Sequence, residues 1–372
     1  MSLIKSYFRE LFTATRDGWN RFWFTPADPA TYCLIRILAG AMLLYTHLVW
    51  TLGLEDFFGP SPWVSREALD QFSEVGPFAF SLFRYVESPA WLWGIHLAAL
   101  VVFTLLTLGL YSRVMSVAAC VLALSYANRV PAALFGLDQI NCMLALYLVV
   151  GPCGACWSLD AWRRRRAARA LAARSVAPRP GVLETIPPVR SETLAADGYA
   201  VRLAPSIAAN VAIRLMQVHL CVVYLFAGLG KLQGMTWWRG DAVWWSAASL
   251  EYQSLDMTWL ADWPVLVSLL THLTVWWEAS YAVLVWPRWT RPLVLAMAVP
   301  VHLGIALCFG MITFGLAMLI ANVAFVPPEL LRRVLRRGAS QAEREVATEG
   351  DAAPPRRQRT QRQRDRKQQH HR

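Results

Sequence analysis

Charge is scarce in this chain. Only 16% of its 372 residues are charged, against 56% that are hydrophobic, where a soluble globular domain carries about 25% charged residues. That balance excludes an ordinary soluble enzyme. Other signatures are missing too. No Gly-x-Ser-x-Gly element marks a hydrolase, and GLGKLQG (228–234) lacks the Ser or Thr that follows the lysine of a phosphate-binding loop. The histidines lie on different segments without i, i+4 spacing, so no metal site is expected. Seven cysteines, mostly within apolar runs, form no disulfide framework. Cys153 and Cys156 make a CGAC, a spacing open to a redox reading or to close helix packing. The first 24 residues, MSLIKSYFRELFTATRDGWNRFWF, have no apolar core with a small-residue cleavage site and read as an amphipathic helix lying in a membrane interface. No internal repeat and no matched pair of broken helices point to a transporter.

Long apolar runs are present in number. Eight windows approach the ~20 residues that cross a ~30 Å hydrocarbon core: 31–54, 90–111, 113–129, 135–153, 207–230, 265–286, 290–309 and 311–327. The expected fold is all-α, a polytopic transmembrane bundle of about eight spans. The net charge of +11 concentrates in the first 21 residues, Arg163–Arg202, Pro287–Pro292 and the tail after Pro328. That alternation predicts cytoplasmic N- and C-termini in a multi-pass protein of the cell membrane and accounts for the charge without nucleic acid. Three regions follow: an interfacial segment at 1–27, a membrane domain at 28–327 with a basic cytoplasmic loop at 163–204, and a basic, largely disordered tail at 328–372.

Ionisable residues inside spans are costly and mark function or pairing. Depth sorts them into two sets. Arg36, Arg214 and Glu278 lie at similar depth near the inner ends, as a structural charge cluster joining three spans. Asn128, Arg129, Asp138, Lys231, His272 and His302 lie toward the outer side, with Trp237 and Trp238 in an aromatic-rich connection. An amine held out of water sheds its proton more readily, and a neutral amine can accept one from a phenol. Lys231 snorkelling to the headgroups is the competing reading, as is an interfacial belt for the tryptophans.

Four stretches, in order, resemble the membrane core of the vitamin K-dependent gamma-carboxylases, a group within the horizontally transferred transmembrane (HTTM) family. They are DPATYCLIRILAGAMLL (28–44), WSLDAW (157–162), YLFAGLGKLQGMTWWRG (224–240) and MAVPVHLGIALCFGMITFGLAML (297–319). The resemblance implies a co-substrate, a reduced naphthoquinone such as menaquinol or vitamin K hydroquinone, with no metal. It places Lys231 as the base on that quinol, and His302 matches a family histidine. Arg129, within YANRVPAALFGLDQ, stands where the carboxylases carry a histidine, so Lys231, His302 and Arg129 form the expected catalytic set. Asn128, Asp138, His272, Trp237 and Trp238 are the expected substrate-binding residues. The implied partners are the lipid bilayer, the lipophilic quinol and a peptide or protein substrate. No lumenal peptide-holding domain is recognisable, so the expectation is quinol oxidation or epoxidation. The alternative is a non-catalytic membrane partner in peptide maturation or export.

Overall fold

The computed structural model describes residues 2–65, 67, 68, 71, 80–175, 204–251 and 254–334. The linker expected at 176–203 and the tail beyond 334 lie outside the described residues. Among the described residues there are thirteen α-helices and no strands. Helix α1 (Ser2–Phe24) precedes α2 (Ala30–Trp50), and α3 (Leu54–Phe58) is one short turn. A hairpin of α4 (Pro89–Leu108) and α5 (Ser112–Arg129) leads into α6 (Gly136–Leu148), and α7 (Leu159–Ser175) follows. The second half holds α8 (Ile207–Leu232), the short α9 (Met235–Arg239) and α10 (Ala242–Ala247), then α11 (Pro264–Leu284), α12 (Arg291–Cys308) and α13 (Ile312–Asn322).

A helix occupies each of the eight expected windows, but they are not equivalent. Four contain a stretch long and apolar enough to cross a membrane: Ala30–Phe58, Pro89–Leu108, Ile207–Leu232 and Arg291–Cys308. A fifth arises if Ile312–Phe325 and Pro328–Val334, bent by 111° at their junction, count as one. The chain therefore reads as a multi-pass membrane protein. Helices α6 and α13, of 13 and 11 residues, rise only about 20 and 16 Å, short of the core thickness on their own. Helices α5 and α11 are long enough, but Ser, Thr, Arg and Glu dilute their hydropathy.

The ends of the helices explain the turns. Ser88 accepts from the Trp91 amide ahead of Pro89 and starts α4. Gly109 ends it with φ of 70°, a left-handed conformation that glycine adopts without strain. Ser206 caps α8 through the Ala209 amide, and Gly310 (φ 67°) turns α12 back into α13.

Arg36 shows how a charge is tolerated in this bundle. Its guanidinium donates to the carbonyls of Leu106 and Thr107 (2.8 Å each) and Trp157 (2.6 Å). A cation at the C-terminal carbonyls of α4 satisfies acceptors that have no partner within the helix. The same contact ties α2 to the WSLDAW turn, whose Asp160 receives the Tyr111 and Ser112 amides and the Ser112 hydroxyl at 2.7–2.9 Å. Asp28, just before α2, is held by Arg332 at 2.7 and 2.8 Å. All seven cysteines are free. The CGAC pair separates: Cys153 donates to the Ser112 carbonyl, whereas the Cys156 amide donates to Cys33 Sγ.

Candidate functional site

The second half holds a half-open cavity of about 460 Å³ between α11, α12, the start of α13 and a roof formed by α9, α10 and the 257–260 turn. Its lining is apolar: Leu270, Leu273, Met297, Val301, Ile305, Phe309 and Phe314 on the walls, Trp237, Met257, Trp259 and Leu260 above. Two charged residues reach it, Lys231 and Glu278. Their side chains meet as an ion pair, Nζ to Oε2 at 2.7 Å, with Lys231 26% and Glu278 8% exposed. Nζ also lies 5.4 Å from the Trp237 ring centroid, within cation–π range.

A glycine creates this pairing. A Cβ on Gly228 would stand 2.6 Å from the Ala279 nitrogen and 2.7 Å from its Cα, so α8 and α11 touch backbone to backbone there. Lys231 lies three residues on, on the same helix face, and Glu278 precedes Ala279. The ammonium is thereby delivered to the carboxylate. The Ala-Gly-x-x-Lys spacing at 227–231 is a helix-contact signature as much as a chemical one.

The roof is seated by similar means. Gly240 (φ 80°) lies so close to α11 that a Cβ would meet Ser268 Oγ at 2.4 Å and His272 Cε1 at 2.8 Å. The Val243 amide donates to Thr271 Oγ1. Ser254, between α10 and the 257–260 turn, docks on the end of α12 through the Leu307 and Cys308 carbonyls.

His302 does not line the cavity, although Val301, Gly304 and Ile305 beside it do. It is buried, with Nε2 2.6 Å from the Tyr224 hydroxyl. That hydroxyl accepts from Asn322 Nδ2 (2.8 Å), and Asn322 Oδ1 accepts from Tyr281 (2.7 Å). Donation can run from Tyr281 to Asn322 and from Tyr224 to His302 Nε2, which leaves the proton on His302 Nδ1, an atom with no hydrogen-bond partner among the described residues. Tyr224 and Tyr281 stack at 3.9 Å, and Trp277 packs edge-on against Tyr224. This buried polar chain stiffens the wall behind the ion pair.

The remaining expected residues are scattered. Arg129 is buried at the end of α5, on the other half of the bundle, and does not line the cavity. Asn128 donates to the Phe80 carbonyl. Asp138 accepts the Phe135 amide at the start of α6. His272 Nδ1 lies 2.8 Å from the Ser268 carbonyl, under the Gly240 turn. Trp237 lines the cavity, whereas Trp238 is exposed and donates to the Leu232 carbonyl. The expected cluster of Arg36, Arg214 and Glu278 is not assembled. Arg36 takes helix-end carbonyls, Glu278 takes Lys231, and Arg214 donates to Gln217 while stacking on Phe22 at 4.4 Å. Counting depth along the sequence treats the inner ends as level, but Gly228 sits opposite Ala279, which puts the end of α8 near the middle of α11. Depth alone therefore does not pair Glu278 with the lysine, and the Tyr224–Asn322–Tyr281 chain carries no charge for such a count to sort.

Among the described residues, no group of three or more His, Cys, Asp or Glu could hold a metal. The chain matches no family model, no curated protein and no solved structure.

Proposed function

We propose that the cavity binds a lipophilic quinol and that the Lys231–Glu278 pair takes the proton from one ring hydroxyl, opening the way to oxidation by dioxygen. The observation that carries this reading is an ion pair at 2.7 Å on the wall of an otherwise apolar cavity of about 460 Å³. That volume lies in the usual range for small-molecule sites, which combine apolar walls with few polar groups. The pair is neutral as a whole, so a neutral ring alcohol can enter without bringing uncompensated charge. The hydroxyl gives its proton to the Glu278 carboxylate, and the Lys231 ammonium faces the oxyanion that forms. Quinol and dioxygen then yield quinone epoxide and water, which balances. His302, through Tyr224, positions the wall and does not touch the substrate. The ordered resemblance to the carboxylase core supports menaquinol or vitamin K hydroquinone as the quinol. It also supports an eight-helix membrane core with both termini cytoplasmic, in the cell membrane, and the cavity near the outer leaflet.

The test is to incubate the purified protein with menaquinol and dioxygen and to search for the epoxide by mass spectrometry, beside Lys231→Ala and Glu278→Gln. Epoxide from the parent protein and its loss in both variants is the expected result. No epoxide above the protein-free control, or an equal yield from both variants, removes the enzyme reading and leaves a non-catalytic partner in peptide maturation or export.

A further inference from the structure

Helix α1 takes no part in the cavity, yet it is the most unusual surface of the molecule. Ile4, Phe8, Leu11, Phe12 and Trp19 are all exposed. At 3.6 residues per turn they fall within one arc of about 100°. Lys5, Arg9 and Arg16, also exposed, fall in the adjoining arc of about 40°. Arg16 also meets Asp17 at 3.2 Å. A stripe of large apolar side chains bordered by cations on one flank suits neither water nor a protein core.

The end of this helix is fixed in place. Asn210, in the first turn of α8, donates to the Phe22 and Trp23 carbonyls at 2.9 Å each. Ala27 and Ser206 exchange backbone hydrogen bonds. The Phe22 ring lies 5.5 Å from Trp286 and beneath Arg214. The stripe therefore starts from the level at which a helix long enough to cross the membrane begins. Helix α7 emerges beside that level, since a Cβ on Gly151 would meet the Ala208 carbonyl at 3.0 Å, and it carries exposed Arg163, Arg166 and Arg169. Two elements on one end of the bundle thus present cations, and one of them presents an apolar face.

We propose that α1 lies in the plane of the membrane and docks on acidic phospholipids of the leaflet at which α8 begins. Its apolar arc sinks among the acyl chains while Lys5, Arg9 and Arg16 meet the phosphates. An amphipathic helix gains from both terms together: the apolar area sets its depth, and each cation near an anionic surface adds to its residence. Charge complementarity selects the lipid over a second copy of the chain, whose corresponding surface has the same sign. The inference is independent of the quinol reading.

Hydrogen exchange over residues 2–24 of the full chain in nanodiscs tests it, with phosphatidylcholine alone or mixed with phosphatidylglycerol. Exchange in α1 is expected to slow by roughly tenfold or more in the acidic discs, and the difference should shrink as salt rises. A Lys5→Gln, Arg9→Gln, Arg16→Gln variant should lose the lipid dependence while keeping α8 protected, which reports an intact bundle. Phe8→Ser with Phe12→Ser should lose protection in both lipids. Equal exchange in neutral and acidic discs overturns the proposal, as does protection that appears only with two copies per disc.

Discussion

The first half of the bundle buries more polar and charged side chains than the second, and the two halves do opposite things with them. In the first, between α2, α5 and α6, the space beside His47, Tyr126 and Asn141 amounts to about 20 Å³, room for one water. Here His96 and Arg36 serve packing: His96 joins Thr51 at 2.9 Å and Tyr126 at 2.7 Å, and Arg36 closes the end of α4. In the second, a longer α8, a glycine contact and a folded roof leave about 460 Å³ with one ion pair on its wall. A buried polar group becomes a site only where the packing leaves room for a substrate beside it.

The largest effect should separate the halves outright. Lys231→Ala or Glu278→Gln is expected to lower quinol turnover by roughly 10²–10⁴-fold, whereas His96→Phe in the first half lowers stability and leaves turnover per folded molecule unchanged. Equal losses of turnover in all three would break the comparison. Next, Gly228→Ala forces a methyl against the Ala279 backbone and should cost about 1–3 kcal/mol. Unfolding midpoints read that cost, and turnover should fall with it as the ion pair opens. A smaller change sharpens the role of the cavity. Gly304 lines it, and a Cβ there meets nothing within 4 Å. Gly304→Leu should therefore weaken quinol binding by about tenfold or more, about 1.4 kcal/mol, without lowering the melting temperature. A variant that binds as well as the parent would place the quinol elsewhere.

The smallest effect concerns the latch between Asp28 and Arg332. Burial pushes the Asp28 carboxyl up, but hydrogen bonds from Arg332 and the Ala30 amide, with the Arg332 charge, outweigh it and hold the group below its usual value. A depressed carboxyl contributes stability above the unfolded value of about 3.9 and loses it as pH falls through the folded value. Melting temperature should therefore decline below about pH 4, and Asp28→Asn should flatten that decline. The pair is partly exposed, so the contribution at neutral pH is about 1 kcal/mol or less.

Much of this architecture was legible in the chain. Apolar run length is enough to place a helix in each of the eight windows and to give the all-α class, and a single ammonium leaving a greasy segment singles out Lys231, which lies on the cavity wall. Arg36, Arg214 and Glu278 take separate partners because the spans are not level rods. Relative sliding of helices leaves no trace in hydropathy, because each helix stays apolar wherever it slides. It is recorded in close contacts such as that of Gly228 with Ala279, and the partner across such a contact is not written in either segment.

The order of residues by itself settled that this protein is helical and rich in segments able to cross a membrane, since backbone groups in a greasy solvent must pair within their own segment. Packing in three dimensions decided which of the costly groups meet. It set Lys231 against Glu278, sent Arg36 to helix-end carbonyls and left a cavity of about 460 Å³ beside the ion pair. Those outcomes depend on contacts between residues dozens of positions apart, which local pattern does not encode.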